Sequence, residues 1–341
     1  MAASTLIGLD IGAMSIRAVE TRRGKDGQSL TAFGQAPLPA GAVQAGVITD
    51  DKAVTSVLKQ LWAANTFRSR QVVLGVTNPQ IVVREMSVSN LPPRELRASL
   101  PFQVRDVLPL PVEKSLLDFY PLEDPGTNTT VRGLLIAAPK DPVMTAVQAV
   151  QRAGLHVTRV DLASFALLRA ASQLDSQVEA LVDIGAQSTS VVVHTDGNPL
   201  IVRTVPRGGT EITEKIATRL RISAAEAEAL KCRVGLLPDR DPDTAEAIDD
   251  AVRPLINELR SSFTYLASGE RQSRVTRVAL SGGGSLLPGL PDVIAEQLDV
   301  TAVIADPVMR LRDVRRGKRD ELSRFRSSAA VSIGLTLGAA A

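Results

Sequence analysis

Residues 6–20 have the sequence LIGLDIGAMSIRAVE, which predicts two short strands joined by a tight turn. The apolar run at the start is typical of a buried strand, and the second half predicts the strand that returns beside it. Asp10 and Gly12 lie at the turn. A carboxylate there can hold a hydrated cation, and a glycine lets backbone N–H groups approach phosphate oxygens. Arg17 adds a cation that can reach the same phosphates.

The same pattern recurs in the second half of the chain. Residues 181–193 have the sequence LVDIGAQSTSVVV, which again places Asp-Ile-Gly-Ala between two apolar strands. Internal repetition of this kind predicts two related halves, each with one acidic turn. Two facing hairpins can hold a triphosphate, with Mg²⁺ between Asp10 and Asp183, because Mg²⁺ keeps several waters through which carboxylates can bind it. The structural alternative is two turn aspartates without a ligand.

Composition limits the classes of protein that the chain can belong to. A length of 341 residues allows two domains with sizeable cores, and a net charge of +2 gives no general attraction to nucleic acid. The single cysteine, Cys232, cannot form an internal disulfide, which fits a reducing cytoplasm. We expect neither a signal peptide nor a membrane-spanning segment, so any association with a membrane would depend on a partner.

A proline-rich region separates the two hairpins. Six prolines occur between residues 92 and 121. Around them the sequence predicts a helix at residues 94–108 and strands at residues 116–122 and 131–138, followed by a helix that begins at Asp141. We interpret this region as a compact β/α unit inserted between the two halves.

Two glycine-rich turns follow the second hairpin. Gly208 and Gly209 predict a tight turn before a helix. A triple glycine comes directly after the strand predicted at residues 277–280, and a backbone without side chains can lie against a purine ring and its sugar. The members of this second turn are Gly282, Gly283, Gly284 and Ser285.

The paired hairpins and the glycine-rich turn near Gly282 resemble the actin-like ATPase superfamily, and the chain is similar to its PilM/FtsA group. This implies an α/β, actin-like (ribonuclease H-like) two-domain ATPase fold with a small inserted β/α subdomain. The implied divisions are a first actin-like domain at residues 1–85, the insert at 86–157, a linking helix of the first domain at 158–178, the second actin-like domain at 179–326, and a C-terminal helix that returns to the first domain at 327–341.

The resemblance also implies a set of ATP-binding residues. Arg17 stands where the superfamily often has a lysine, which keeps the charge but changes its reach. The implied metal ligands are Asp10 and Asp183. The implied nucleotide contacts are Gly12, Ala13, Met14, Ser15 and Arg17 in the first hairpin, Gly185, Ala186, Gln187 and Ser188 in the second, Gly208 and Gly209 where the second domain closes, and Glu228, Lys231 and residues 282–285 beside the ribose and adenine.

The sequence offers only one candidate for a catalytic group. Relatives often supply a Glu or Gln from the linking helix to position the attacking nucleophile, whereas this chain has the sequence VDLASF at residues 160–165. Asp161 is the candidate there, on a helix predicted at residues 161–171. We therefore expect ATP binding with at most slow hydrolysis.

The insert implies a protein partner. In the PilM-like group, the first domain and the insert form a groove for the cytoplasmic tail of an inner-membrane PilN-like protein. The sequences LPPREL at residues 91–96 and VLPLP at residues 107–111 match the pattern of this group. The resemblance implies a cytoplasmic scaffold of type IV pilus assembly, peripheral to the inner face of the membrane through partners that can include other pilus motor components.

Two alternatives use the same fold. One is a small-molecule kinase, which would need a catalytic aspartate facing a substrate pocket. The other is an FtsA-like division filament protein, for which we expect a C-terminal amphipathic helix that residues 327–341 do not supply. The basic run at residues 310–326 predicts either a solvated loop or an electrostatic contact with an acidic surface.

Overall fold

The computed structural model describes residues 5–25, 27–124, 126–268, 272–314 and 326–338. Within these residues the chain forms two large β-sheets with helices around them, a three-stranded sheet that lies between them in sequence, and one very short hairpin. The predicted two-domain α/β architecture with an insert is confirmed.

The helices and strands follow one another without long irregular segments. In the first half they are β1 (Thr5–Ile11), β2 (Ser15–Gly24), β3 (Gly27–Pro37), β4 (Val43–Gln44), β5 (Val47–Ile48), α1 (Asp51–Ala64), β6 (Gln71–Val76), β7 (Val82–Ser89), α2 (Pro93–Gln103), β8 (Ser115–Pro121), β9 (Thr130–Pro139), α3 (Lys140–Arg152), β10 (His156–Leu162) and α4 (Ala163–Ala171). In the second half they are β11 (Val178–Ile184), β12 (Thr189–Thr195), β13 (Asn198–Val205), α5 (Gly209–Leu220), α6 (Ala224–Val234), α7 (Pro242–Ser268), β14 (Arg277–Ser281), α8 (Leu290–Leu298), β15 (Thr301–Ile304), β16 (Asp313–Val314) and α9 (Ala330–Gly338).

The first lobe is built on a sheet with the strand order β10-β6-β1-β2-β3-β16 among the described residues. β1, β2 and β3 are antiparallel, whereas β6 and then β10 add in parallel beside β1. Ile7 and Leu9 of β1 are fully buried against α1. The Asp50 side chain caps α1 by accepting a hydrogen bond from the Ala53 N–H (2.9 Å).

The second lobe repeats this arrangement. Its described strands have the order β13-β12-β11-β14-β15, with β11, β12 and β13 antiparallel and β14 and β15 added in parallel. β11 thus occupies the position of β1, and the central strands of both sheets carry the aspartate turns at their carboxyl ends. The repeat seen in the sequence is therefore a repeat of topology.

The insert begins and ends earlier than predicted, because its sheet starts with β7 at Val82 and finishes with β9 at Pro139. β7, β9 and β8 form a separate antiparallel sheet that α2 covers. Residues 86–157 were assigned to the insert, yet the buried Ala149 and Val150 of α3 pack in the core of the first lobe with α1. The helix belongs to that core because its apolar face meets the apolar face of α1.

The linking helix also begins later than predicted. Asp161 and Leu162 continue β10, in register with Gly75 and Val76 of β6, so α4 starts at Ala163. The chain then returns to the first lobe through α9, which packs on β1 and α4. Residues 315–325 of the basic run and residues 339–341 lie outside the described residues. No helix in the described ranges is both long enough and apolar enough to cross a membrane.

Candidate functional site

The two hairpins have the same backbone geometry. In the first, the N–H of Gly12 donates to the carbonyl oxygen of Ser15 (3.0 Å); in the second, the N–H of Gly185 donates to the carbonyl oxygen of Ser188 (3.0 Å). The aspartate is the penultimate residue of the strand in both cases. Both predicted turns are therefore present in the structure.

Electrostatics show that the two aspartates are near neighbours. Burial, followed by the negative charge of Asp10, raises the pKa of Asp183 to about 6; a hydrogen bond from Ser281 and the charge of Arg17 oppose this increase. Burial also raises the pKa of Asp10, and Arg17 offsets this only in part. Two buried carboxylates with raised pKa values are groups whose ionised forms a cation would stabilise.

Arg17 lies directly across β1 and β2 from Asp10. Its Nη1 is 3.3 Å from Asp10 Oδ2, and both side chains are largely buried. The Nε of Arg17 has no hydrogen-bond partner among the described residues. An acceptor such as a phosphate oxygen would satisfy this donor.

The second turn is held in place by the start of α5. The N–H of Gly209 donates to the carbonyl oxygen of Gly185 (2.9 Å), and the N–H of Thr210 donates to that of Ala186 (2.8 Å). The structure thus brings Gly208 and Gly209 to the second hairpin of the same lobe, and their predicted contact with a nucleotide stays a prediction. Because the N–H groups of Gly209 and Thr210 already donate to the second turn, they hold that turn in position.

Glu228 and Lys231 lie on α6, beside the start of α5. The Nζ of Lys231 donates to the carbonyl oxygen of Gly209 (3.0 Å) and to Thr213 Oγ1 (2.8 Å), and it also pairs with Glu228 Oε2 (2.6 Å). Lys231 is mostly buried, whereas the Glu228 side chain is 52 % exposed. Lys231 therefore joins α6 to α5, and Glu228 keeps a free face toward solvent.

The triple glycine packs on the end of β11. Gly282 has a φ of +81°, and a Cβ added to Gly282 or Gly284 would lie within 2.4 Å of Ile184 atoms. By contrast, a Cβ on Gly283 would have open space around it. The buried Ser285 hydroxyl donates to the Gly282 carbonyl oxygen (2.7 Å) and stabilises the turn. Only Gly283 of this turn thus presents a backbone that a planar ring could approach.

Asp161 lies level with Asp10 in the first sheet but two strands away from it. It is the penultimate residue of β10, which is separated from β1 by β6, and its carboxylate pairs with Arg169 of α4. The same residue lines a groove between the first lobe and the insert. Its position as the candidate catalytic residue stays a prediction.

That groove has a cavity volume of about 310 Å³. Its walls come from two strands that have no second neighbour among the described residues, β8 of the insert and β10 of the first lobe. Its floor is apolar, and Arg97 and Asp118 stand at its exposed rim. The apolar lining includes Val76, Leu117, Ile136, Ala138, Val143 and Phe165.

Some residues at the site carry no signal in the sequence. The N–H of Ala45, in the turn between β4 and β5, donates to Gln187 Oε1 (2.7 Å) across the two lobes. Ser281 lies in register with Asp183. Its hydroxyl donates to the carbonyl oxygen of Ser327 (2.7 Å) and lies near enough to the Asp183 carboxylate to lower the pKa of that group. Strand pairing could have suggested Ser281, because it precedes the triple glycine directly. No local pattern points to Ala45.

The donor set fits magnesium rather than zinc. No cluster of three or more His, Cys, Asp or Glu side chains occurs in the described part of the chain. Two carboxylates match the way in which Mg²⁺ is bound together with a nucleotide, since that ion usually combines one or two carboxylates with waters and phosphate oxygens.

Several known proteins are similar to this chain. The FtsA cell division protein of Bacillus subtilis is 28% identical over 257 residues, which cover 67% of this chain and 58% of that protein. The FtsA of Pseudomonas aeruginosa is 24% identical over 362 residues, covering 91% and 85%. The chain therefore spans little more than half the length of the Bacillus relative.

Among solved structures, a PilM–PilN type IV pilus biogenesis complex matches with a TM-score of 0.85 and 29% identity over 98% of both chains. EutJ of Carboxydothermus hydrogenoformans (TM-score 0.58, 17% identity, 99% and 90% covered) and ADP-bound MreB5 of Spiroplasma citri (0.56, 13%, 98% and 95%) show the shared actin-like fold alone. The family model of the type IV pilus assembly protein PilM matches residues 8–340. This chain belongs to the PilM family of type IV pilus assembly proteins.

Proposed function

We propose that this protein is a cytoplasmic, ATP-binding scaffold of type IV pilus assembly that binds the tail of a PilN-like inner-membrane protein. The observation that carries the proposal is the groove between the first lobe and the insert, on a chain whose fold matches PilM in a PilM–PilN complex. Association with the membrane, and with other pilus motor components, would then depend on bound partners.

The cleft between the hairpins supports binding of Mg·ATP. Asp10 and Asp183 would hold the ion through its waters, and the N–H groups of both turns, with Arg17, would bind the phosphates. Gly283 offers open backbone for the adenine, and the exposed face of Glu228 can accept hydrogen bonds from ribose hydroxyls. Bound Mg²⁺ would neutralise charge on the two aspartates and on the phosphates.

Turnover has weaker support than binding. Asp161 is the candidate group for positioning a nucleophile, but it pairs with Arg169 and lines the groove instead of the hairpin tips. We infer that the nucleotide acts chiefly as a ligand that sets the angle between the lobes, with at most slow hydrolysis.

The groove is suited to an extended apolar peptide. The open edges of β8 and β10 can form main-chain hydrogen bonds with an added strand, and the apolar floor can receive alternate side chains. Arg97 and Asp118 at the rim can fix the direction of a peptide that carries one charge of each sign. Closure of the lobes by ATP would change the width of this groove and hence the affinity for the tail.

The test is titration of a labelled N-terminal peptide of a PilN-like protein with the full chain, using two matched variants. Val160 on β10 is 37% exposed at the groove, and Val303 on β15 is also 37% exposed, in the second lobe. We expect Val160→Asp to weaken peptide binding more than about tenfold, because it places a charge in an apolar groove, and Val303→Asp to leave it unchanged. Equal affinities for the two variants would contradict the groove assignment.

A further inference from the structure

The two lobes are joined across the cleft by a hydrogen bond at the tip of the β4–β5 hairpin. The Ala45 N–H donates to Gln187 Oε1 at 2.7 Å, although the residues lie 142 positions apart. Ala45 has a φ of +47°, which is unfavourable for a residue with a side chain. The sequence assigns Gln187 to the second phosphate turn, yet its side-chain oxygen is occupied by the first lobe.

The β4–β5 hairpin is fixed firmly to the first lobe. Gly46 follows Ala45 with a φ of +78°, and an added Cβ would lie 1.7 Å from the carbonyl oxygen of Thr77, so only glycine fits there. Val43 and Ile48 are buried in the core that also contains α1 and α3. A movement of Ala45 must therefore move its neighbours as well.

The residues that pack around the β4–β5 hairpin reach the groove between the first lobe and the insert, which we call the partner groove. A small cavity beside the hairpin is lined by Gly46 and Ile48 together with Val143 of α3 and Val76 of β6. Val76 and Val143 also line the groove. Packed residues thus run continuously from the second phosphate turn, through the hairpin and α3, to the place where a peptide would lie.

This junction contains polar groups that the present arrangement leaves unpaired. Thr77 Oγ1 and Asn78 Nδ2 are buried without a hydrogen-bond partner in the part of the chain that the structure describes, and both residues line the same cavity. Buried polar atoms without partners are costly. An arrangement of this junction that paired them would recover part of this cost.

We propose that Gln187 is a positioning residue whose bond to Ala45 couples the nucleotide cleft to the partner groove. A phosphate on the second hairpin accepts from the Gln187 Nε2–H, and turning the amide toward that phosphate withdraws Oε1 from the Ala45 N–H. When nucleotide binds, Gln187 turns to the ligand, the β4–β5 hairpin is released, and α3 shifts the groove wall at Val143. This inference rests on the proposed function, since it names the contact by which nucleotide regulates binding of the tail.

The experiment measures the ratio of peptide affinities with and without Mg·ATP, at saturating nucleotide, for the full chain and two variants. A coupled pair of sites typically changes affinity by about 5–150-fold. We expect such a ratio in the natural chain and a ratio below about 2 in Gln187→Ala, even where peptide affinity itself is kept. A residue with a merely structural role would alter both affinities and leave their ratio intact.

Gln44→Ala is the matched control, because Gln44 is an exposed neighbour on the same hairpin whose side chain makes no hydrogen bond to the second lobe among the described residues. It should keep the full ratio. Ala45→Gly, which keeps the donor and suits the positive φ, should keep it too. A full ratio in Gln187→Ala, or a ratio near 1 in the natural chain, would overturn the coupling while leaving the groove intact. Absence of peptide binding under both conditions would instead remove the proposed function.

Discussion

The two aspartate hairpins have the same backbone geometry, but different groups surround their carboxylates. Asp10 lies against Arg17, whereas the residue at the corresponding position opposite Asp183 is Ser190. The first acid thus has a cation at 3.3 Å, and the second has a hydroxyl neighbour in Ser281 and a nearby negative charge. Duplication of the fold has therefore not duplicated the electrostatics.

This difference assigns unequal roles to the two lobes. In the first, Arg17 pairs directly with Asp10 and offsets part of the cost of burying its charge. In the second, burial and the charge of Asp10 outweigh the opposing effects of Ser281 and Arg17, so Asp183 is the stronger reason for a cation to bind. The turns differ in a second way, since α5 and α6 support the second one through Gly209 and Lys231, while Met14 in the first is 52% exposed.

The largest expected effect is on stability at neutral pH without ligand. Asp183 titrates near 3.8 when unfolded and at about 6 in the folded chain. The folded state holds more protons between these values, so the free energy of unfolding falls as pH rises from about 4 to about 6 and stays lower at pH 7. Asp183→Asn should remove this fall and raise stability at pH 7 by about 2–3 kcal/mol, measured by urea denaturation at several pH values.

A control for this variant is Asp196→Asn, in an exposed turn whose positive φ asparagine tolerates. It should change stability by no more than about 0.5 kcal/mol. If Asp183→Asn keeps the pH dependence of the natural chain, the raised pKa of Asp183 is not the cause of that dependence.

The next effect concerns affinity for Mg·ATP, measured by isothermal titration calorimetry. Loss of a carboxylate that holds the ion's waters should cost roughly 10–100-fold in Asp183→Asn. Asp10→Asn should cost less, because it releases Arg17 to bind phosphate more strongly. Equal losses would show that the hairpins act alike, and an unchanged affinity in both variants would remove the cleft assignment.

The smallest effect tests the support of the second turn. Lys231→Met removes the hydrogen bonds that join α6 to Gly209 and Thr213, and we expect a loss of about 1–2 kcal/mol in the free energy of unfolding. Met14→Ala in the first turn, where the side chain is 52% exposed, should change it by less than about 0.5 kcal/mol. Comparable losses in the two variants would contradict the difference between the turns.

Much of the architecture could be predicted because its signals are local. The acidic turns, the capped helix α1 and the Ser223–Glu226 capping box of α6 depend on residues only a few positions apart. The limits of the insert could not be predicted in the same way. α3 has an apolar face that would suit either sheet, and only the position of α1 decides which one it covers.

The candidate site divides similarly. The sequence identified which residues form the two turns, and it placed Asp161 on a helix because an apolar pattern continues through it. Register with β6 shows instead that Asp161 ends a strand and pairs with Arg169. Pairing between parallel strands depends on residues far apart along the chain, which no local pattern contains.

The chain's own sequence thus determined two repeated hairpins, their acids and glycines, and the family to which the protein is similar, because strand periodicity and turn chemistry are properties of short stretches. Only the tertiary structure decided that Asp10 and Asp183 lie close enough to raise a pKa, that Gln187 meets Ala45, and that β8 and β10 leave open edges around one groove. These contacts arise where elements from different parts of the chain pack together, because burial and charge then act between residues that are far apart in the sequence.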